Sequence, residues 1–413
     1  MPLHASLTRR LRAMRGLALI NPTALGESWR ERRGGYPAEP EHEPHLVSAI
    51  EWLVRAYHAT PDGGISRGFS LAWNPIFGCS GWQPSYPETT GYIIPTLSAA
   101  ARRLKRRDLA SRAERAARWE IAIQLPSGAV QGGVIGQPES PAVFNTGQVL
   151  LGWLAAFRET GQEQFTEAAG RASRYLVATL DADGHWRNGN SAFARTDATL
   201  YNARTAWALA EAGTQLGDGA FTDAAARSLR AVAAAQAPNG WLPRCCLSDP
   251  RRPLLHTLAY AVRGLLEGGR VLGDGALVCA AERTAGALAA TVRSDGWMPG
   301  RYAADWSAAA RWSCLTGQAQ MANNWMRLAH ITGDPSWLEP VPAVLGFLKR
   351  TQNRETELLG LRGGIKGSSP GGGAYGTHEV LSWATKFFAD ALMRHEAIQC
   401  GDASGASVVS ELT

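Results

Sequence analysis

The turn Arg293-Ser-Asp-Gly-Trp297 has close counterparts at three earlier positions of this chain of 413 residues. These counterparts are Leu125-Pro-Ser-Gly-Ala129, Asp181-Ala-Asp-Gly-His-Trp186 and Ala237-Pro-Asn-Gly-Trp241. From Gly128 to Gly184, and twice more up to Gly296, the central glycines are 56 residues apart. Looser copies at 61–64 and 360–364 bring the number of units to six. A fixed period of this length is typical of repeat architectures, in which one unit cannot bury its apolar face without its neighbours.

Each unit is predicted to consist of two helices. The segment before each turn carries apolar residues at helical spacing, as in Ile50, Leu53 and Val54, which indicates an amphipathic outer helix. The segment after each turn is rich in small residues, aromatic residues and amides and has few charges, which is typical of a buried inner helix. The predicted outer helices span about 44–60, 107–125, 163–180, 219–236, 274–292 and 335–352, and the inner helices about 88–104, 142–160, 197–216, 254–271, 313–332 and 378–397. The sequence therefore predicts an all-α fold, an (α/α)6 toroid of six helical hairpins.

The repeats are expected to form one domain at 44–399, with a basic tail at 1–43 and a small polar tail at 400–413. Long linkers precede the inner helices, so we expect them to meet at one end of the ring. They span 61–87, 126–141, 238–253, 294–312 and 353–377. Loops longer than about 12 residues in a compact domain are usually functional or disordered. Because these linkers are rich in Trp, Tyr and Arg, we expect a functional cleft at that end.

The formal net charge is +6, and much of it comes from arginines near the N-terminus and at 102–107. Such clusters either attract an anionic polymer or membrane surface or form a solvated helix end and tail. The sequence has no nucleic-acid-binding signature and no stretch of about 20 apolar residues that could span a bilayer. The apolar run at 16–20 is too short for a secretory leader, and the six cysteines do not suggest a disulfide framework. The expected location is cytoplasmic.

The segment Ser85-Tyr-Pro-Glu-Thr-Thr-Gly-Tyr92 opens the first predicted inner helix. Pro87 suits the first helical position, and Glu88 suits the first turn, where the helix dipole favours a negative charge. Glu88 is therefore either a helix-start residue or an acid, base or sugar-hydroxyl acceptor at the mouth of the cleft. Tyr86 and Tyr92 flank this carboxylate and are candidate substrate contacts.

His256 and Tyr260 are four residues apart and share one helix face. Tyr201, Asn202 and Arg204 belong to the preceding inner helix in ring order. This set of residue types fits proton abstraction next to a carboxylate. An arginine or amide neutralises a uronate, a histidine or tyrosine takes the C5 proton, and a tyrosine donates on the far side. A buried histidine can equally be structural.

Other candidate substrate contacts are flat aromatic rings, amides on inner helices and polar groups of a glycine-rich loop. The aromatic candidates are Trp82, Trp306 and Trp312; the amides are Asn145, Gln148, Gln318 and Gln320; and the loop residues are Lys366, Tyr375 and His378. Each class has a structural alternative. The rings can fill gaps between repeats, the amides can bond helix to helix, and the loop can simply close the ring.

Neither a metal nor a cofactor is predicted. Cys246, His256 and Cys314 could meet where inner helices converge, but their spacing matches no compact zinc motif. The glycine-rich loop lacks the residue order of a phosphate-binding loop. Glycoside hydrolysis needs two carboxylates across the scissile bond. The candidates are too many to single out a pair: Glu88, Glu139, Asp197, Asp305 and Glu379.

Five segments of this chain are similar to segments of VpsJ-type proteins, which are encoded in bacterial polysaccharide gene clusters. They are Tyr86-Pro-Glu-Thr-Thr-Gly-Tyr92, Phe144-Asn-Thr-Gly-Gln148, His256-Thr-Leu-Ala-Tyr260, Gly364-Ile-Lys-Gly-Ser368 and Trp383-Ala-Thr-Lys-Phe-Phe-Ala-Asp390. This resemblance implies an α/α toroid in an exopolysaccharide context. A shorter likeness, from Cys314-Leu-Thr-Gly-Gln-Ala-Gln320 to Thr332-Gly-Asp334, resembles the C-terminal domain of glucuronyl C5-epimerases and implies uronate chemistry.

The sequence leaves several functions open. We favour an enzyme acting on a polysaccharide or glycan intermediate by C5 proton abstraction at a uronic acid, as a lyase or epimerase. A glycoside hydrolase with a carboxylate pair and a non-catalytic glycan-binding scaffold are the alternatives. The segment 236–241 also resembles terpene cyclase toroids, but the Asp-x-Asp-Asp signature of those enzymes is absent. A toroid supports many activities, so the fold alone selects none of them.

Overall fold

The computed structural model describes residues 21–189, 195–197 and 199–401. Helix α1 (Pro22–Arg32) is followed by an outer and an inner set of helices. The outer set contains α2 (Glu43–His58), α4 (Arg107–Ala122), α6 (Glu163–Thr179), α8 (Gly219–Ala234), α10 (Gly275–Ala289) and α12 (Val341–Thr351). The inner set contains α3 (Pro87–Arg103), α5 (Val143–Thr160), α7 (Ala203–Leu216), α9 (Leu255–Leu272), α11 (Leu315–Thr332) and α13 (Ser382–Gln399).

The inner helices form a closed ring. Each one packs against the next, and α13 packs against both α3 and α2, so the last hairpin meets the first. The predicted all-α toroid of six hairpins is confirmed. The predicted helices match the observed ones within a few residues at most positions. The segments 197–216 and 335–352 differ, because a short 3₁₀ helix at Leu200–Asn202 precedes α7 and another at Pro335–Leu338 precedes α12.

The repeated turns have one common geometry. The central glycines Gly128, Gly184, Gly240 and Gly296 have φ angles of 86°, 87°, 82° and 81°, which lie in the region that favours glycine. Each turn also docks on the outer helix of the next unit. A β-carbon on Gly128 would lie 2.4 Å from the carbonyl oxygen of Arg171 in α6, and one on Gly296 would lie 1.9 Å from that of Ala343 in α12. The repeat period therefore marks the junctions between units.

Short strands fasten the long linkers to the starts of inner helices. β1 (Gly68–Asn74), β2 (Cys79–Trp82) and β5 (Glu379–Leu381) form an antiparallel sheet in the order β2-β1-β5. β3 (Ser313–Cys314) pairs with β4 (Ser368–Ser369). Since β5 leads directly into α13, the first linker of the chain is held beside the last inner helix.

Part of the segment that we expected to be an N-terminal tail packs on the toroid. Asn21 caps α1, because its Oδ1 accepts a hydrogen bond from the backbone N–H of Ala24 at 3.0 Å. Glu27 of α1 is buried, and Lys366 Nζ donates to its Oε2 at 2.9 Å. Helix α1 thus contacts the glycine-rich loop through a buried ion pair. The domain boundaries at 43/44 and 399/400 stay a prediction.

Replacing a junction glycine should destabilise the ring. For Gly296→Ala we expect a loss of at least about 1–3 kcal/mol in the free energy of unfolding, because the new β-carbon requires a strained φ and meets the backbone of α12. Gly275→Ala is the matched control, since nothing lies within 4 Å of a β-carbon there. Urea denaturation of both variants measures the difference. Equal stabilities would contradict the docking role of the turn.

Candidate active site

A cavity of about 260 Å³ lies at the end of the ring where the inner helices begin. Aromatic rings form much of its wall: Phe77, Tyr86, Phe144, Tyr201, Tyr260, Tyr375 and Trp383. The polar residues of the wall include Arg67, Glu88, Gln137, Asn145, His256 and Thr257. Arg67, Val134, Leu247 and Tyr375 belong to four of the long linkers, so the predicted meeting of linkers at one end is observed.

Glu88 in the first turn of α3 is the acid of this cavity. Tyr86 Oη donates to its Oε2 at 2.5 Å, and Tyr92 Oη donates to its Oε1 at 3.3 Å. Burial, the largest effect, raises the pKa of Glu88 to about 7, although the two tyrosine hydroxyls and the positive charges of Arg67 and Arg204 act in the opposite direction. The carboxyl group can therefore hold or release a proton near neutral pH.

A chain of hydroxyls extends from Glu88 along the cavity floor. The oxygen atoms of Tyr92 and Tyr260 are 2.5 Å apart, and the two rings are nearly parallel. When Tyr92 donates to Glu88, the Tyr260 hydroxyl donates to Tyr92, so every donor in this chain has an acceptor. Burial raises the pKa of both tyrosines well above 10, and they remain proton donors at neutral pH.

His256 in the first turn of α9 faces the same cavity. Its Nδ1 is 2.9 Å from Gln320 Oε1 of α11. With this oxygen as the acceptor, Nδ1 carries the proton and Nε2 keeps its lone pair. Burial lowers the pKa of His256 to about 4, so the imidazole is neutral at physiological pH. The rings of Tyr260 and Tyr375 fix its orientation, with centroid distances of 4.4 and 5.2 Å.

Arg204, which we expected to contact a uronate, lies below the cavity instead of lining it. Its guanidinium carbon is 5.3 Å from the ring centroids of both Tyr92 and Tyr260, and only 1% of the residue is exposed. Its Nε donates to Gln148 Oε1 at 2.8 Å. Arg204 therefore reaches the cavity only indirectly, through its contacts with the tyrosine rings and through its charge, which acts to lower the pKa of Glu88.

Several other predicted site residues lie among the cavity-lining residues or next to them. Tyr86, Asn145, Tyr201 and Tyr375 line the cavity, and Gln320 supports His256. Asn202 is buried beside Tyr201 in the 3₁₀ helix, and Gln148 is buried beneath the cavity on Arg204. Asn145 Nδ2 also donates to the backbone carbonyl of Gln131 at 3.1 Å, which positions its amide.

The remaining predicted contacts have structural surroundings away from the cavity. Trp82 packs on Trp52 and Phe69, and Trp306 packs on Trp241. Trp312 lies against Gly300, and Gln318 Nε2 bonds to the carbonyl of the junction residue Gly296 at 2.7 Å. Lys366 is fully buried between Glu27 and Glu31, and His378 is buried next to Gly372. None of these six residues is among the lining residues of the cavity, and a substrate contact through any of them stays a prediction.

Several cavity residues had no predicted role, among them Arg67, Phe77 and Trp383. Arg67 and Phe77 belong to the first long linker and lie outside its motif Ser85–Tyr92. Trp383 lies in the segment Trp383–Asp390, which resembles VpsJ-type proteins. Only the β2-β1-β5 sheet brings these three residues together.

Within the described part of the chain, no group of three or more His, Cys, Asp or Glu side chains is arranged to hold a metal ion. Cys246, His256 and Cys314 accordingly do not form such a group. Over the same residues, no helix is both long enough and apolar enough to cross a membrane.

Comparisons with known proteins agree with the fold. No protein-family model and no curated protein sequence matches the chain. An unsaturated glucuronyl hydrolase specific for heparin superposes with a TM-score of 0.69 at 16% identity, over 87% of this chain and 98% of that one. Cellobiose 2-epimerase from Bacillus thermoamylovorans gives a TM-score of 0.62 at 12% identity, over 90% of this chain and 99% of its own. A D-mannose isomerase gives 0.61 at 12% identity, over 87% and 100%.

These similarities establish the architecture. The chain has an α/α-toroid fold, and it spans nearly the whole length of these three structures. Sequence identities of 12–16% support a shared fold but do not establish a shared activity.

The raised pKa of Glu88 predicts a pH-dependent stability. Between pH 4.5 and about 7 the folded protein keeps a proton on Glu88 that the unfolded chain has released, so the free energy of unfolding falls as pH rises. Above about pH 7, the ionisation of Glu88 has lowered the free energy of unfolding by about 3 kcal/mol. Glu88→Gln removes the ionisation, and its stability relative to wild type should rise by about this amount from pH 4 to pH 8.

Urea denaturation at several pH values measures this difference. The control is Glu357→Gln, whose side chain is 98% exposed, and it reports the effect of losing a carboxyl group outside the cavity. A stability difference for Glu88→Gln that is the same at pH 4 and pH 8 would show that burial does not hold the proton on Glu88.

Proposed function

We propose that this protein is a carbohydrate-processing enzyme that abstracts the C5 proton of a uronic acid residue in a polysaccharide or glycan intermediate, as a lyase or an epimerase. One observation carries the proposal. A carboxyl group with a pKa of about 7 and a neutral imidazole face one cavity with aromatic walls. Proton transfer at carbon requires a protonated acid and an unprotonated base at the same pH.

The shape and chemistry of the cavity suit a sugar ring. Flat aromatic side chains offer surfaces for its C–H faces, and Asn145, Gln137 and Thr257 offer hydrogen bonds to its hydroxyls. A cavity of about 260 Å³ accommodates one monosaccharide unit more readily than a longer segment, which directs the chemistry to one residue of the glycan.

His256 is the base and Glu88 is the acid in this mechanism. Nε2 of His256 takes the C5 proton, and the electron pair is delocalised into the adjacent carboxylate. In elimination, the C4–O4 bond then breaks, a C4=C5 double bond forms, and the proton of Glu88 passes to O4. In epimerisation, a proton returns to C5 on the opposite face. The hydroxyl of Tyr201 remains protonated and can donate to the developing negative charge, while the chain from Tyr260 through Tyr92 holds Glu88 in place.

Hydrolysis is the second candidate. The neighbours that support it include unsaturated glucuronyl hydrolases, and a protonated Glu88 would suit the role of general acid. Hydrolysis by a carboxylate pair would require a second carboxyl group across the bond. Among the described residues that line the cavity, Glu88 alone carries one, which favours the proton-abstraction mechanism.

The activity should have a pH window. His256 accepts a proton only above about pH 4, and Glu88 donates one only below about pH 7, so turnover should be highest between these values. Glu88→Gln and His256→Ala should each lower kcat by roughly 100- to 10,000-fold, while Glu357→Gln should not change it.

The products distinguish the candidate functions. Elimination creates an unsaturated uronate that absorbs in the near ultraviolet, epimerisation in deuterated water incorporates deuterium at C5, and hydrolysis creates only new reducing ends. Binding of uronate glycans without any of these changes would favour the scaffold alternative. Turnover that survives both substitutions would remove Glu88 and His256 from the mechanism. The VpsJ-type polysaccharide context, a cytoplasmic location and contact with an anionic surface stay predictions.

A further inference from the structure

Arg67 has a distinctive position in the cavity wall. Among the described lining residues it alone has a permanent positive charge, because His256 is neutral and Arg204 lies beneath the tyrosines. Its side chain is 18% exposed, so the guanidinium is largely desolvated yet open to the cavity. An anionic group that enters this cavity would meet the charge of Arg67 directly.

The protein holds Arg67 on one side only. Nη1 donates to Gln83 Oε1 at 2.6 Å and to the two oxygens of Glu379 at 3.2 and 3.3 Å. Nε and Nη2 have no hydrogen-bond partner among the described residues. Since Nε and Nη2 lie on one edge of the planar group, a complete two-donor edge is unoccupied.

Glu379 is fully engaged in holding the arginine. It also accepts hydrogen bonds from Gln83 Nε2, at 2.6 Å, and from Asn74 Nδ2. The backbone of Arg67 is fixed as well, because its N–H bonds to the carbonyl of Pro84 and its carbonyl accepts from Ser382. Gln83, Glu379 and the backbone therefore orient the guanidinium before any ligand arrives, which reduces the entropy cost of binding.

Two aromatic rings crowd the guanidinium. Its central carbon is 4.8 Å from the ring centroid of Phe77 and 4.9 Å from that of Trp383. A planar group with two oxygens can meet the open edge of an arginine in its own plane, whereas a tetrahedral sulfate or phosphate projects oxygens out of that plane. The surroundings of Arg67 therefore suit a carboxylate best.

We propose that Arg67 forms a carboxylate-binding subsite that takes the C6 carboxylate of a uronic acid residue. This inference rests on the proposed function, and it assigns to Arg67 the uronate-neutralising role that we expected of Arg204. Binding of the carboxylate here would anchor the sugar by its charged group and leave Glu88 and His256 to exchange protons with it. Arg67 selects the substrate class, and it takes no part in proton transfer.

The test compares uronate oligosaccharides with their carboxyl-reduced counterparts, which differ only by a primary alcohol in place of the carboxylate. Binding to each is measured by titration calorimetry with wild type, Arg67→Gln, Arg67→Lys and the control Arg251→Gln, an exposed arginine outside the cavity. Wild type should bind the uronate roughly 10- to 100-fold more tightly than the reduced sugar, since a charge-assisted pair is lost in the latter. Arg67→Gln should lose this preference for the uronate and bind the reduced sugar as wild type does. Arg67→Lys should retain part of the preference, and Arg251→Gln should retain all of it.

Three results would overturn the subsite. They are a wild type without preference for the uronate, an Arg67→Gln variant that loses both ligands equally, and a stronger Arg67-dependent preference for a sulfated neutral sugar. The unchanged affinity for the reduced sugar is also the check that the variant is folded. The proposed function is tested separately, because a uronate that binds through Arg67 but never exchanges its C5 proton would leave the subsite in place and refute the reaction.

Discussion

The docking of each turn glycine on the next outer helix is the contact on which this architecture depends. At Gly128, Gly184, Gly240 and Gly296 the backbone has the same positive φ, and a neighbouring carbonyl occupies the space of a β-carbon. Gly363 repeats the arrangement against Ser48 of α2, where the last unit meets the first. Because only glycine combines this φ with so close an approach, these five turns need glycine to dock one unit on the next around the ring.

Closure has a direct chemical consequence. It brings the first turns of the inner helices to one end, together with the linkers that precede them, and it buries groups placed there. The pKa values of Glu88 and His256 move in opposite directions, up to about 7 and down to about 4, for the same reason: burial disfavours the charged form of an acid and of a base alike. The two pKa shifts are therefore a property of the closed ring as much as of the two residues.

The site could be anticipated in part. Glu88 and His256 stand in the first turns of inner helices, Tyr260 follows His256 by one turn, and their convergence follows from ring topology. The positions of Trp82, Trp306 and Lys366 could not be derived in this way, because aromatic packing and ion pairing in the protein interior draw on the same residue types as ligand binding does. The position of Arg67 could not be derived from the sequence, because its partners Gln83 and Glu379 are 16 and 312 residues away along the chain.

The sequence by itself determined the number of units, their helical character and the closed toroid, since a periodic turn with an obligatory glycine is a local signal that repeats. Tertiary structure alone decided which polar side chains face the cavity, which lie one layer beneath it, as Arg204 does, and which edge of Arg67 is left open. The physical reason is that burial and electrostatic shifts depend on the summed contacts of segments far apart in the chain, and spacing along the sequence carries no measure of those distances.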